Sequence, residues 1–217
     1  MDSSRAVDLY CERTDPSFWA EPVNAVSNAA VLIAVAVAFV QWRRAGAHGW
    51  PVPLLIALTA AVGAGSFIFH TVATQGAELF DTIPIAVFIY AYLLFALRRF
   101  LGLSLLASLA LLVAFAGLTY AEAALVPAGA LNGSHAYLPA LAAMLIVAAL
   151  ASGPARQMLL AAGFTFALSL VFRSIDNVVC AAFPLGTHSL WHILNAVVLY
   201  LLLRAAIRAE PKRAALT

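Results

Sequence analysis

The sequence predicts an all-α integral membrane protein, a seven-transmembrane helix bundle with its N-terminus outside and its C-terminus in the cytoplasm. Composition, long apolar stretches and the distribution of basic residues carry this prediction. Hydrophobic residues make up 64% of the 217 residues and charged residues 10%, against roughly 45–50% and about 25% in soluble domains. A chain of this size has too little interior to hide so much apolar surface from water. The composition therefore excludes a soluble enzyme, a nucleic-acid-binding module and a disordered tail.

Seven apolar stretches are long enough to cross a bilayer, which takes about 20 helical residues. They cover residues 23–42, 51–72, 79–97, 100–120, 136–151, 157–176 and 187–204. The alternating pattern of a membrane β-barrel is missing from the sequence, so helices are the expected elements. The fifth stretch gives the weakest signal because it is short. The predicted organisation is an outer N-terminal segment over 1–22, a transmembrane domain over 23–204 and a basic cytoplasmic tail over 205–217.

Basic residues support seven crossings independently. With seven crossings, only Arg5, Arg13 and Arg173 lie on the side of the N-terminus. The other basic residues share the opposite side: Arg43, Arg44, Arg98, Arg99, Arg156, Arg204, Arg208, Lys212 and Arg213. Positively charged loops stay in the cytoplasm, so the N-terminus is predicted outside. Deleting the fifth crossing would move the last four basic residues outside and spoil this pattern.

The two cysteines are predicted on the same outer side. Cys11 precedes the first helix and Cys180 follows the sixth. Disulfides persist outside the cytoplasm, and a bridge here would fasten the N-terminal segment over the mouth of the bundle. Two unrelated thiols are the alternative, because a sequence does not supply the spacing that a disulfide requires.

Three histidines are predicted at one membrane depth near the outer side. His188 and His192 open the seventh helix four residues apart and therefore share one face. This spacing lets a helix offer two imidazoles to one metal ion. His70 ends the second helix at the same level. Ionisable groups inside a membrane are costly and usually functional, so a metal site is favoured over three separately hydrogen-bonded histidines.

Two further polar residues complete a hydrolytic site in this prediction. Asp81 begins the third helix, where it could cap the helix and still face the histidines. Ser66 lies on the same face as His70, one turn deeper. Three imidazoles with an open fourth position are typical of catalytic zinc, which lowers the pKa of its bound water to about 7. Asp81 would then transfer the proton and Ser66 would stabilise the oxyanion, which predicts attack of zinc-activated water on an amide or ester.

Asn24, Glu21 and Asp176 are predicted at the same outer level. For Asn24 and Asp176 the favoured interpretation is a hydrogen-bond network that ties the helices together around the metal ligands.

With these residues in place, the chain resembles the alkaline ceramidases of the CREST superfamily over about residues 8–204. The resemblance rests on six ordered segments: Tyr10-Cys-Glu12, Ala20-Glu-Pro-Val-Asn24 with Ser27-Asn28, Gly65-Ser-Phe-Ile-Phe-His70, Leu79-Phe-Asp-Thr-Ile-Pro84, Ile175-Asp-Asn177 with Cys180, and His188-Ser-Leu-Trp-His192. It implies that Ser66, His70, Asp81, His188 and His192 form a zinc site. It also implies ceramide as the membrane lipid substrate, cleaved to a sphingoid base and a free fatty acid. No obligatory protein partner is evident.

The resemblance leaves calcium binding open. Eukaryotic members carry an Asp-Trp-Cys-Glu-Glu-Asn stretch and a later glutamate that bind calcium. Here the stretch reads Leu9-Tyr-Cys-Glu-Arg-Thr14, so Arg13 stands in place of an acid. Asp8, Glu12 and Glu21 remain as candidate ligands, and fewer charged ligands weaken calcium binding. The short tail and loops resemble a bacterial member, which would place the site on the periplasmic side of an inner membrane.

Two other functions remain as alternatives. Another CREST hydrolase would act on a different lipid amide or ester. A proton or metal transporter could use His70, Asp81, His188 and His192 as a pathway, but transporters place polar groups through the midplane and often contain broken helices. Here the ionisable groups cluster at one end of the bundle. A retinal-binding photoreceptor is excluded because the only lysine, Lys212, lies in the tail.

Overall fold

The protein is described by a computed structural model over residues 3–46 and 49–209. In these ranges the chain has helices and no strands, and seven helices are long and apolar enough to cross a membrane, which confirms the predicted bundle. They are α1 (Pro22–Ala45), α2 (Pro51–Val72), α3 (Gln75–Arg99), α4 (Leu105–Leu125), α5 (Ala130–Leu150), α6 (Gly153–Val179) and α7 (His188–Ala209). The predicted tail over 205–217 begins inside α7, and its residues 210–217 lie outside the described ranges.

The two helices that carry the histidines are the central ones. Half of the most apolar stretch of α2 is buried and 56% of that of α7, against 11% for α4. Many large apolar side chains point outward, including Leu106, Val113 and Phe164. An outward-facing apolar surface is expected where lipid is the solvent. The three histidines therefore lie on the two most deeply buried helices of the bundle.

The start of α3 differs from the prediction. The helix begins at Gln75 rather than at residue 79, because Thr74 is its N-cap and accepts a hydrogen bond from the Ala77 backbone N–H at 3.2 Å. Asp81 consequently lies in the second turn of α3. The expectation that Asp81 caps this helix is wrong, which leaves its carboxylate free to face the interior.

The weakest predicted helix is real and longer than expected. α5 opens with a 3-10 segment, Ala130–Tyr137, before the regular helix Leu138–Leu150. Leu131, Asn132 and Gly133 adopt left-handed backbone angles inside that segment. This irregular start explains why hydropathy alone placed the beginning of the helix at residue 136.

Helices α2 and α3 meet backbone to backbone at Gly65. A Cβ atom on this glycine would lie 1.8 Å from the carbonyl oxygen of Phe80. Only glycine fits such an approach. The next residues of the two helices, Ser66 and Asp81, are thereby brought together, and both side chains line the same cavity.

The N-terminal segment lies against the same end of the bundle. It pairs with the loop between α2 and α3 and with the first turn of α3 through backbone hydrogen bonds, including Val7 N to Ala73 O at 2.8 Å and Gly76 N to Ser3 O at 3.0 Å. A disulfide then joins Cys11 to Cys180 at the end of α6, with the Cα atoms 5.4 Å apart. Of the two alternatives that the sequence left for these cysteines, the structure contains the bridge.

Candidate metal centre

The side chains of His70, His188 and His192 converge at the end of α2 and the start of α7. Each offers a ring nitrogen, and these nitrogens lie within 4.8 Å of one another. The ring centroids are 4.6 to 5.1 Å apart, and all three residues are at most 4% exposed. Within the described ranges, no other group of three or more His, Cys, Asp or Glu residues is close enough to share a metal ion. The spatial convergence agrees with the sequence-based expectation.

The hydrogen bonds of His70 determine which ring nitrogen is free. Its Nδ1 lies 2.6 Å from Glu21 Oε2. Burial raises the pKa of Glu21, but hydrogen bonds from His70, Arg13 and Asn24 outweigh it and hold the pKa below its ordinary value. Glu21 is therefore a carboxylate acceptor, and His70 donates from Nδ1. Its Nε2 is left buried with a lone pair and without a partner among the described residues.

His192 is oriented in the same manner by α1. Its Nδ1 lies 3.1 Å from the Asn24 carbonyl oxygen and 2.7 Å from Ser27 Oγ. A carbonyl oxygen can only accept, and the Ser27 hydroxyl already donates to the Asn24 carbonyl. His192 therefore carries its proton on Nδ1 and has its lone pair on Nε2. Metal-binding histidines usually donate their other N–H to a carboxylate or a backbone carbonyl, and His70 and His192 show one case each.

His188 is fixed by its backbone and by a stacked ring. The Asp176 carboxylate caps α7, accepting from the backbone N–H groups of Thr187 at 2.6 Å and His188 at 2.9 Å. The Tyr10 ring stacks on the imidazole with the centroids 3.6 Å apart. The His188 Nδ1 is buried and has no hydrogen-bond partner in residues 3–46 and 49–209. The donor set thus includes two orphaned nitrogens and a third with a defined lone pair, which fits a metal ion such as zinc.

The Asp176 carboxylate also binds the N-terminal segment. Its second oxygen accepts from the Cys11 backbone N–H at 2.9 Å. Gly186 closes the turn before α7 with φ +63, and a Cβ there would lie 2.2 Å from Asp176 Oδ1. Asp176 therefore connects the end of α6, the start of α7 and the disulfide, as the predicted network between helices requires.

Ser66 and Asp81 face an apolar cavity that also reaches His192. One oxygen of Asp81, Oδ1, is buried and has no hydrogen-bond partner in the part of the chain that the structure describes. The cavity continues along α7 as far as Leu202, ten residues beyond His192, or about 15 Å at 1.5 Å per residue. It therefore extends roughly halfway through a hydrocarbon core of about 30 Å. The lining is mostly apolar.

The three residues proposed for calcium do not converge. Asp8 is exposed, whereas the Glu12 carboxylate caps α1 through the backbone N–H groups of Val23 at 2.7 Å and Asn24 at 2.8 Å. Glu21 pairs with the buried Arg13, whose Nε lies 2.6 Å from Glu21 Oε1. Both glutamates thus accept from protein donors, and calcium binding stays a prediction.

Three residues next to the centre were not among the site residues predicted from the sequence. Tyr10 covers His188, and burial raises its pKa well above the ordinary value, so its hydroxyl stays protonated. Arg13 binds Glu21 and also donates to the His70 carbonyl oxygen at 3.3 Å. Arg173 faces the cavity. An arginine inside an apolar stretch was an available signal, whereas the roles of Tyr10 and Arg13 depend on a fold that no spacing rule supplies.

The fold and these residues define a class: a helical membrane protein with seven spans and a buried candidate metal centre beside an apolar cavity. The model of the Ceramidase family matches residues 9–213. The chain therefore belongs to the Ceramidase family, as the resemblance indicated. A comparison with curated proteins gives no match. Membership of this family supports a ceramide-hydrolysing function.

Proposed function

We propose that the protein is a zinc-dependent membrane amidase that hydrolyses ceramide to a sphingoid base and a free fatty acid. One observation carries the proposal: three buried histidines bring ring nitrogens within 4.8 Å of one another, beside a cavity lined by Ser66 and Asp81. One ring nitrogen of His70 and one of His188 have no hydrogen-bond partner among the described residues. A purely structural cluster would have its buried nitrogens hydrogen-bonded. Here buried imidazole nitrogens lie close together, and in the described part of the chain two of them have no hydrogen-bond partner.

Each side chain has a distinct part in the proposed reaction. His70, His188 and His192 would hold the metal ion, which when bound activates water and polarises a carbonyl. Asp81 would accept a proton from the attacking water and later give it to the leaving amine. Ser66 would donate a hydrogen bond to the carbonyl oxygen as negative charge develops there. Water adds to the amide carbon, the C–N bond breaks, and a carboxylic acid and an amine leave.

The protein environment would support this chemistry by fixing the ligands. Glu21 and the Asn24 carbonyl hold two imidazoles in the required tautomer, and the Asp176 cap fixes the backbone of the third. His70, His188 and His192 would supply three ligands to zinc, which would leave a position for water. The apolar cavity would receive an acyl chain, while the buried location excludes bulk water.

A lipid panel tests this function. Purified protein should release fatty acid from ceramides, and a zinc chelator should abolish the release until zinc is added back. Phospholipids and acyl esters in the same panel test the alternative of another lipid substrate. The proposal would be contradicted if the protein held about one zinc ion per chain and still hydrolysed none of these lipids.

Histidine variants separate the metal centre from general folding. His192→Ala should lose both bound zinc and ceramide hydrolysis, because one of three ligands is gone. The matched control is His135→Asn, since His135 hydrogen-bonds Glu122 outside the three-histidine cluster and asparagine can keep that bond. The control should retain zinc. Equal zinc content in both variants would place the metal elsewhere.

A further inference from the structure

Arg173 occupies an unusual position in the bundle. It lies within the membrane-spanning helix α6, and its side chain lines the same cavity as Ser66, Asp81 and His192. A guanidinium is always charged. Charged side chains inside a membrane are costly and rare unless they are paired with a counter-charge or have a function.

The guanidinium is enclosed by aromatic rings rather than by acids. Its Cζ lies 5.4 Å from the ring centroid of Tyr10, 5.6 Å from that of Tyr137 and 5.4 Å from that of Trp191. Aromatic faces attract a cation, but they carry no net negative charge to neutralise it. These rings come from the N-terminal segment, α5 and α7, so three parts of the fold converge on one cation.

The hydrogen bonds of Arg173 are incomplete. One terminal nitrogen donates to the Tyr10 hydroxyl at 2.6 Å, whereas the buried Nε has no partner in the described part of the chain. Asp81 interacts with Arg173 electrostatically, but no ion pair with a carboxylate is formed among the described residues. A buried charge without a paired counter-charge costs free energy. An anion that enters the cavity would supply this counter-charge.

We propose that Arg173 binds the carboxylate of a long-chain fatty acid, the acyl product of the reaction. This inference rests on the proposed function, which would create such an anion in this cavity. Arginine pairs with carboxylates through two parallel N–H···O bonds, and an unpartnered donor is available. While the acid is bound, its chain would occupy the apolar part of the cavity. Arg173 would thus determine how tightly product is held and how fast it leaves.

The test compares a fatty acid with the uncharged alcohol of the same chain length. Dodecanoic acid and dodecanol are titrated into the purified full-length protein in detergent, at a pH at which the acid is ionised. Wild type should bind the acid at least about tenfold more tightly than the alcohol, the size expected for a charge-assisted pair. Arg173→Gln should bring this ratio close to one, and Arg173→Lys should keep part of it. An unchanged ratio in Arg173→Gln, or no preference in wild type, would overturn the inference.

Two controls keep the result interpretable. Arg156→Gln removes an exposed arginine at the start of the same helix, outside this cavity, and should bind as wild type does. Zinc content and elution on size exclusion should be equal in all variants, so that misfolding is recognised. If Arg173→Gln does not fold, Arg173→Lys carries the test, and an acid preference equal to that of wild type there would contradict the two-bond pairing.

The titrations and the lipid panel together distinguish the two proposals. Arg173-dependent acid binding without hydrolysis of any lipid would overturn the proposed function and leave the carboxylate site standing. Ceramide hydrolysis with acid binding that is indifferent to residue 173 would overturn the carboxylate site alone.

Discussion

Glu21 is the residue on which the candidate centre most depends outside the metal ligands. Its two oxygens serve different partners: Oε1 pairs with Arg13 at 2.6 Å, and Oε2 accepts from His70 Nδ1 at 2.6 Å. Asn24 also donates to Oε2 at 3.1 Å. Arg13 keeps Glu21 ionised, and the ionised carboxylate keeps the His70 proton on Nδ1. The free lone pair on His70 therefore depends on a residue that does not face the cavity.

Glu21→Gln should weaken zinc binding by roughly 10- to 100-fold, the usual effect of losing an acceptor behind a ligating histidine. The amide keeps the shape of the side chain but removes its charge, so His70 becomes a weaker ligand. Competition with a fluorescent zinc chelator measures the affinity. Asp8→Asn, at an exposed acid near the same segment, should leave the affinity unchanged. Equal affinity in wild type and Glu21→Gln would show that His70 does not bind the ion.

At the scale of elements, the contact between α2 and α3 sets the distance between Ser66 and Asp81. The two helices can approach this closely only because residue 65 has no side chain. A displacement of about 1 Å between catalytic groups is enough to reduce a rate about 100-fold. The precision of the proposed chemistry thus depends on a glycine that takes no part in it.

Gly65→Ala should lower ceramide hydrolysis by about two orders of magnitude and destabilise the fold by about 1–3 kcal/mol, the usual cost of overpacking. Zinc content should change little, because none of the three histidines lies at this contact. Gly117→Ala is the matched control, because Gly117 lies within helix α4 with open space around it, where alanine favours the helix by about 1 kcal/mol. Full activity in Gly65→Ala would show that the spacing of these helices does not limit the reaction.

The disulfide fastens the N-terminal segment, which places Tyr10 over His188. The bridge spans 169 residues of sequence, and removing a native disulfide typically costs about 2–5 kcal/mol. The double variant Cys11→Ser, Cys180→Ser should therefore melt at a lower temperature. Differential scanning fluorimetry in detergent, with and without reductant, measures the change. Wild type should lose the same stability on reduction, whereas the variant should not respond. A melting temperature equal to that of oxidised wild type would show that the bridge adds no stability.

For the whole molecule, hydropathy sufficed to predict the helices. The membrane depth of the three histidines sufficed to predict that they lie close together. Lipid makes long apolar stretches obligatory, and crossing direction then fixes which helix ends share a side. The capping of α3 by Thr74 escaped prediction because the first turn, from Gln75 to Glu78, is polar. The ring cage of Arg173 escaped it because Tyr10, Tyr137 and Trp191 are distant in sequence. Periodicity describes one element at a time, whereas these contacts arise where several elements meet.

Orientation in the membrane follows from the same global pattern and remains a prediction. Successive crossings put the ends of α1, α3 and α7, with their arginines, opposite the end that carries the histidines. Because positively charged loops stay in the cytoplasm, the candidate centre should open on the outer side. Cysteines introduced at the exposed positions Thr14 and Ser152 test this in intact cells with a membrane-impermeant maleimide. Thr14→Cys should react before lysis and Ser152→Cys only after it. The opposite labelling would place the centre in the cytoplasm, where the Cys11–Cys180 bridge would be exposed to reduction.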